Sequence, residues 1–156
     1  MRSGGTHLAT LRAVAKKYAH KPAERILADL VASTPGDEGK WFAAAKELGL
    51  YDAAIQLART SPCDPRTLAR AARDHVAERP AFALEAGCAA LAWLVQGYGY
   101  EITGADVWLA YSATMKAAEA LERGEETRER IRRVVAQGPS YNIVAQVLGR
   151  ELGMGR

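Results

Sequence analysis

The chain has 156 residues, 49% hydrophobic and 25% charged, with a formal net charge of +3 at pH 7. That balance belongs to a single ordinary globular domain, excludes a disordered or collagen-like chain, and is too weakly basic to imply nucleic acid. Two cysteines, Cys63 and Cys88, exclude a disulfide framework. Alanine is abundant and β-branched residues are scattered. Apolar residues recur at intervals of three and four, which predicts amphipathic helices and no strand-like alternation.

In chain order, a first helix is expected over residues 6–19, with Leu8, Leu11, Val14, Ala15 and Tyr18 on one face. His20 and Lys21 turn the chain. Pro22 takes the first position of a second helix, where its missing N–H costs nothing. That helix runs to residue 33 with Ile26, Leu27, Leu30 and Val31 inward. Thr34-Pro35-Gly36-Asp37 reads as a cap, a proline and an acid at the third position, opening a helix that turns Trp41, Ala45 and Leu48 inward and stops at Gly49. Residues 51–60 offer Ala54, Ile55 and Ala58. Asp64-Pro65 repeats the cap-then-proline pattern, and Leu68, Ala69, Ala72 and Val76 follow inward until Pro80 breaks the helix and starts the next.

Residues 80–115 contain no Lys or Arg, and residues 81–95 are apolar almost throughout. Leu84, Cys88, Leu91 and Val95 form a stripe there, flanked by small residues. The run falls short of the ~20 residues a membrane span needs. It is expected to be a core helix covered on more than one side. Gly97-Tyr98-Gly99-Tyr100-Glu101 is a loop, and Thr103 with Asp106 reads as a capping box. The helix after it reaches residue 123, with Val107, Trp108, Tyr111, Met115, Ala118 and Leu121 inward, and Gly124 ends it. Residues 125–137 turn Ile131, Val134 and Val135 to one side, and Gly138-Pro139 is a stop. Ser140 is expected to cap a short last helix carrying Ile143, Val144, Val147 and Leu148. Residues 1–138 thus read as one helical-hairpin domain and 139–156 as a short helix or tail.

Leu48, Gly49, Tyr51 and Ala54, at the joint between two of these helices, resemble the tetratricopeptide repeat family, as divergent and irregular repeats. There a Leu-Gly pair closes the first helix, and Tyr and Ala pack the second against it. The resemblance implies an all-α fold of antiparallel hairpins stacked as a short α-solenoid, whose first helices line a concave groove for a peptide. The alternative is a closed helical bundle, which shows the same turns and alanine-rich packing.

Candidate chemistry is sparse. His7, His20 and His75 stand far apart, with no metal-ligand spacing. No third glycine and no lysine accompany Gly97 and Gly99, so no phosphate loop is expected. Cys63, beside a helix start, is a candidate for a lowered thiol pKa, and Cys88 reads as core. Glu85, if buried, needs a partner. Neither catalytic residues nor a cofactor or metal is expected. The candidate binding residues are Arg66, Arg70 and Arg73, a stripe able to grip carboxylates of an acidic peptide, and Tyr98, Tyr100 and Trp108, an aromatic patch. Arg70 is paired on paper with Asp74. Glu126–Arg130 and Glu129–Arg133 are expected to form a salt-bridged outer face. Lys16, Lys17, His20 and Lys21 make a small basic patch. The opening MRSGGTHLAT lacks the apolar run of a secretory leader, which suggests a cytoplasmic protein. The expected activity is a non-catalytic interaction module with a protein or peptide partner, no membrane partner and little affinity for nucleic acid. The alternatives are an accessory region of a larger protein and a weak nucleic-acid binder working through basic patches.

Overall fold

A computed structural model describes residues 23–154, so the helix expected over residues 6–19, the basic patch at 16–21 and Pro22 lie outside the described residues. Every described element is helical. There are eight α-helices and one 3-10 turn among the described residues, and no strand. They belong to two compact units, Met1–Pro62 and Cys63–Arg156.

The first unit carries α1 (Ala23–Ala32), a 3-10 turn (Glu38–Trp41), α2 (Phe42–Glu47) and α3 (Tyr51–Thr60). The helix expected to open at Thr34 starts later. Thr34 Oγ1 donates back to the Val31 carbonyl at 3.2 Å and accepts the Trp41 indole N–H at 3.0 Å. A threonine hydroxyl spent on the preceding helix caps nothing downstream, and the backbone re-enters helix only at Glu38. The 3-10 turn, α2 and α3 pack on one another. Trp41, Phe42, Ala44 and Ala45 are buried, as are Ala54, Ile55 and Ala58 on α3.

The Leu48-Gly49 joint has a simple physical basis. Leu50 N–H donates to the Ala45 carbonyl at 3.0 Å and Gly49 N–H to the Lys46 carbonyl at 2.9 Å, with Gly49 at φ +78. These are the paired bonds of a Schellman ending, which satisfies carbonyls the helix leaves bare. The same pair of bonds recurs at Gly97, and again at Glu122, which adopts φ +58 without being glycine.

The second unit carries α4 (Pro65–His75), α5 (Pro80–Val95), α6 (Gly104–Ala120), α7 (Gly124–Gln137) and α8 (Ile143–Leu148). Asp64 caps α4 through the Arg66 N–H at 3.2 Å, ahead of Pro65 at the helix start. α4, α5 and α6 pack mutually, and α7 and α8 each pack on both α5 and α6. Four helices therefore touch α5, and eleven of its 16 residues are buried. A helix apolar on all sides is stable in water only when enclosed in this way, each buried Leu, Val or Phe contributing about 1.5–3 kcal/mol. α5 and α6 come close where Gly87 meets Thr114. A Cβ on Gly87 would strike the Thr114 hydroxyl, which already donates to the Ala110 carbonyl at 2.6 Å.

Three expectations are corrected in this unit. Trp108 is not inward. It is 41% exposed, flanking a buried stripe of Val107, Ala110, Tyr111 and Thr114 that α6 turns to its neighbours. Gly124 does not end α6. The helix stops at Ala120, Glu122 takes the left-handed position, and Gly124 begins α7. The cap of α8 is Asn142 rather than Ser140: Asn142 Oδ1 accepts the Ala145 N–H at 2.8 Å, and asparagine caps as well as serine does. The end of the chain packs on its own unit, with Val144, Leu148 and Leu152 fully buried and the Leu152 carbonyl accepting from Arg132 Nε at 2.6 Å. No helix among the described residues is long and apolar enough to cross a membrane.

Candidate interaction surface

Arg66, on the first turn of α4, is the hub of one end of the second unit. Its Nε donates to Asp106 Oδ1 at 2.9 Å and its Nη2 to Oδ2 at 3.0 Å, a two-pronged pair across 40 residues of sequence. Nη1 donates to the Tyr100 carbonyl at 2.7 Å and Nη2 also to the Glu101 carbonyl at 3.0 Å. One planar guanidinium thus ties the start of α4 to the start of α6 and to the loop between α5 and α6. Asp106 is shared: it also accepts the Thr103 N–H at 2.8 Å, the acid arm of the capping box. The hydrogen bond from Arg66, reinforced by the Thr103 backbone, holds the Asp106 carboxyl down at about 2. Glu101 sits at φ +48, a conformation that costs a non-glycine residue about 1 kcal/mol and persists only when its surroundings impose it. The bond from Arg66 to its carbonyl is part of that constraint.

The loop held in this way presents tyrosines. Gly97 is the left-handed residue of the Schellman ending of α5. Tyr98 follows it and packs edge-on against Trp93, with ring centroids 5.3 Å apart at 90°. An apolar contact between these two positions is the usual companion of that motif. Gly99 has φ +108, and a Cβ there would run into Ile102. Tyr98 is 45% exposed and Tyr100 76% exposed. Tyr98 lines an open cleft of about 350 Å³ whose other wall comes from the break between α7 and α8, where Tyr141 is 82% exposed.

A second depression runs along α6. Trp108, Ser112, Met115 and Glu119 line it from one helix face, and Glu151 closes it from the chain end. Trp108 packs edge-on against Tyr111 at 5.7 Å. The Tyr111 hydroxyl donates to Glu151 Oε2 at 3.3 Å and accepts from Arg128 Nη1 at 3.1 Å. Burial is the main cause of the upward shift of the Tyr111 pKa.

The structure therefore brings Arg66 to the Tyr98–Tyr100 loop and places Trp108 in a different depression. The predicted stripe on α4 divides as well. Arg66 points its donors inward, whereas Arg70 and Arg73 are exposed, and Arg73 Nε pairs with Asp74 at 2.9 Å. Cys63 does not have a lowered pKa. It is buried, and burial pushes its thiol up to about 12, with the neighbouring Asp64 charge adding to the shift. Glu85 has its partner, but from α7: Arg130 meets it with both terminal nitrogens, at 2.7 and 3.0 Å. Arg130 is thus drawn from the expected Glu126 pair into an interhelical staple, while Glu129 pairs with Arg132 at 2.6 Å and with Arg133 at 3.9 Å. His75 is used in packing, its Nδ1 2.8 Å from the Ala71 carbonyl and its ring edge-on to Phe82. No group of three His, Cys, Asp or Glu side chains converges on a metal position among the described residues.

Tyr141 is the residue that sequence reasoning passed over. Its signal was present: a large aromatic inside Gly138-Pro139-Ser140-Tyr141-Asn142, a break with no helical period to bury it. The chain was compared with protein-family models, curated proteins and solved structures, and none matches.

Proposed function

We propose that this protein is a non-catalytic helical module that binds a protein or peptide partner, its hairpins related in kind to tetratricopeptide repeats. The observation that carries the reading is where the exposed aromatics lie. Tyr98, Tyr100, Trp108 and Tyr141 are exposed, and all four belong to the second unit. Tyrosine and tryptophan combine large contact area with few rotatable bonds and a polar tip, which is why they concentrate at interface centres. Three of the four stand on breaks between helices, held by Arg66 or by helix ends. Arg70 and Arg73, exposed further along α4, are the cations offered to partner carboxylates. Arg66 serves the same function indirectly, by fixing the loop.

Quantitative affinity capture with the full chain tests the reading. A Tyr100→Ala/Tyr141→Ala double variant, both side chains lying mostly in solvent, is expected to recover about tenfold less of the partners than the wild type. Arg70→Ala/Arg73→Ala is expected to lose less, and in a salt-dependent way. The same partners at the same yield on all three proteins, or no partner on the wild type, would remove the proposal.

A further inference from the structure

The cleft between Tyr98 and Tyr141 has a chemical character of its own. One residue in four of this chain is charged, yet none of the eleven residues lining the cleft is Asp, Glu, Lys, Arg or His. A carboxylate, phosphate or ammonium placed there would lose hydration without gaining a counter-charge. The floor is apolar, from Val95, Ile102 and Ile143, and Pro139 forms part of the rim. Asn142 offers little to a ligand: its Nδ2 donates to the Pro139 carbonyl at 2.8 Å and its Oδ1 accepts from Ala145. The side-chain polar groups left over are the hydroxyls of Tyr98 and Tyr141, which have no hydrogen-bond partner among the described residues, and the exposed Gln96 carboxamide. The site therefore offers two aromatic faces, an apolar floor and neutral groups that both donate and accept, without charge. Tyr98 is already oriented by Trp93, and its loop by Arg66, so little ordering is left to be done on binding.

A ligand suited to it is uncharged and apolar in its side groups, with carbonyls that can take the two tyrosine hydroxyls. A polyproline II segment meets these conditions. Its rings stack on aromatic faces, its backbone carbonyls are unpaired acceptors, prolines bring no N–H to be desolvated, and its shape is set before binding. A cleft of about 350 Å³ is at the lower end for a small ligand and suits a few residues of such a chain. We propose that the Tyr98–Tyr141 cleft binds an uncharged proline-rich peptide segment, with proline rings against the two tyrosines and peptide carbonyls accepting from their hydroxyls. This inference rests on reading this end of the second unit as an interaction surface.

The test uses the isotope-labelled full chain and amide chemical-shift mapping with acetyl-hexaproline-amide. An acetyl-(Gly-Ser)3-amide peptide and a hexapeptide alternating Pro with Asp serve as controls. Hexaproline is expected to shift the amides of Gly97, Gly99 and Asn142 saturably, and the two controls to leave them in place. Tyr141→Ala is expected to weaken hexaproline binding about tenfold, and Tyr141→Phe, which keeps the ring and loses the hydroxyl, about threefold. The inference is overturned by the absence of a saturable shift, by equal shifts with either control, by shifts confined to the Trp108–Met115 groove, or by an unchanged affinity in Tyr141→Ala. Should hexaproline fail while partner capture still depends on Tyr100 and Tyr141, the partner has other chemistry. The inference about proline then falls, and the interaction module stands.

Discussion

α5 and the loop that leaves it are neighbours in sequence and opposites in construction. α5 is covered by four helices, carries a single charge, Glu85, and meets α6 so closely at Gly87 that a methyl group has no room. The loop at residues 97–101 has two glycines with positive φ, two exposed tyrosines and a backbone held from outside by one arginine. In the first region each large apolar side chain is accounted for by what it packs against. In the second, Tyr98 is partly used by the fold, against Trp93, but Tyr100 buries little, and so does Tyr141 across the cleft. That contrast separates residues that make the structure from residues the structure presents.

The contrast is broken most severely at Gly87. Gly87→Leu drives a branched side chain into Thr114, whose own χ1 has little freedom. It should destabilise the chain by about 3 kcal/mol or more, read as the denaturant midpoint at unchanged slope. Next is the Glu85–Arg130 staple. Glu85→Ala leaves a half-buried guanidinium without its carboxylate and should cost about 1–2 kcal/mol. Removing Arg130 as well should recover part of that loss in a double-mutant cycle, which isolates the pair from its surroundings.

At the loop the expected effects are smaller and local. The Asp106 carboxyl titrates at about 2 in the folded chain against an ordinary value of 3.8. A depressed carboxylate stabilises the fold fully above its unfolded value, and that contribution disappears as pH falls through the folded one. Asp106→Asn should therefore be less stable than wild type by about 1 kcal/mol at pH 6. The gap should narrow from about pH 4 downward and close only once the pH lies below the folded value of about 2. Faster amide exchange over residues 97–101 should accompany it, because the same carboxylate orients Arg66. Smallest is a gain. Glu122 holds a left-handed conformation that glycine adopts freely, so Glu122→Gly should raise stability by about 0.5 kcal/mol, read in the unfolding midpoint.

Helix positions were legible in the sequence where periodicity and caps agreed. The inward set of α3, Ala54, Ile55 and Ala58, is its buried set, and Asp64-Pro65 and Pro80 open α4 and α5 where local chemistry places them. The failures have physical reasons. Thr34 had two possible bonding partners, and sequence cannot decide between the helix behind it and the one ahead. Trp108 shares a helical spacing with Tyr111 and Met115, but its position one residue from Val107 rotates it off the buried stripe. Glu122 carries no sequence signal for a left-handed helix end, a place glycine usually takes, and Gly124 stands two residues on. At the candidate site the residue types were legible and the pairings were not. Arg66 and Asp106 lie 40 residues apart, as do Tyr111 and Glu151, and no local pattern joins them. The tyrosines of the loop were visible as an anomaly, but the second wall of their cleft, Tyr141, comes from a break far along the chain.

Tyr100 and Tyr141 are proposed to serve recognition and not folding, and one protein puts that to trial. The Tyr100→Ala/Tyr141→Ala variant, measured by chemical unfolding and by quantitative capture on the same preparation, should unfold within about 0.5 kcal/mol of wild type while retaining about a tenth of its partner. A variant that unfolds early, or one that keeps both its stability and its full yield of partner, would contradict the account.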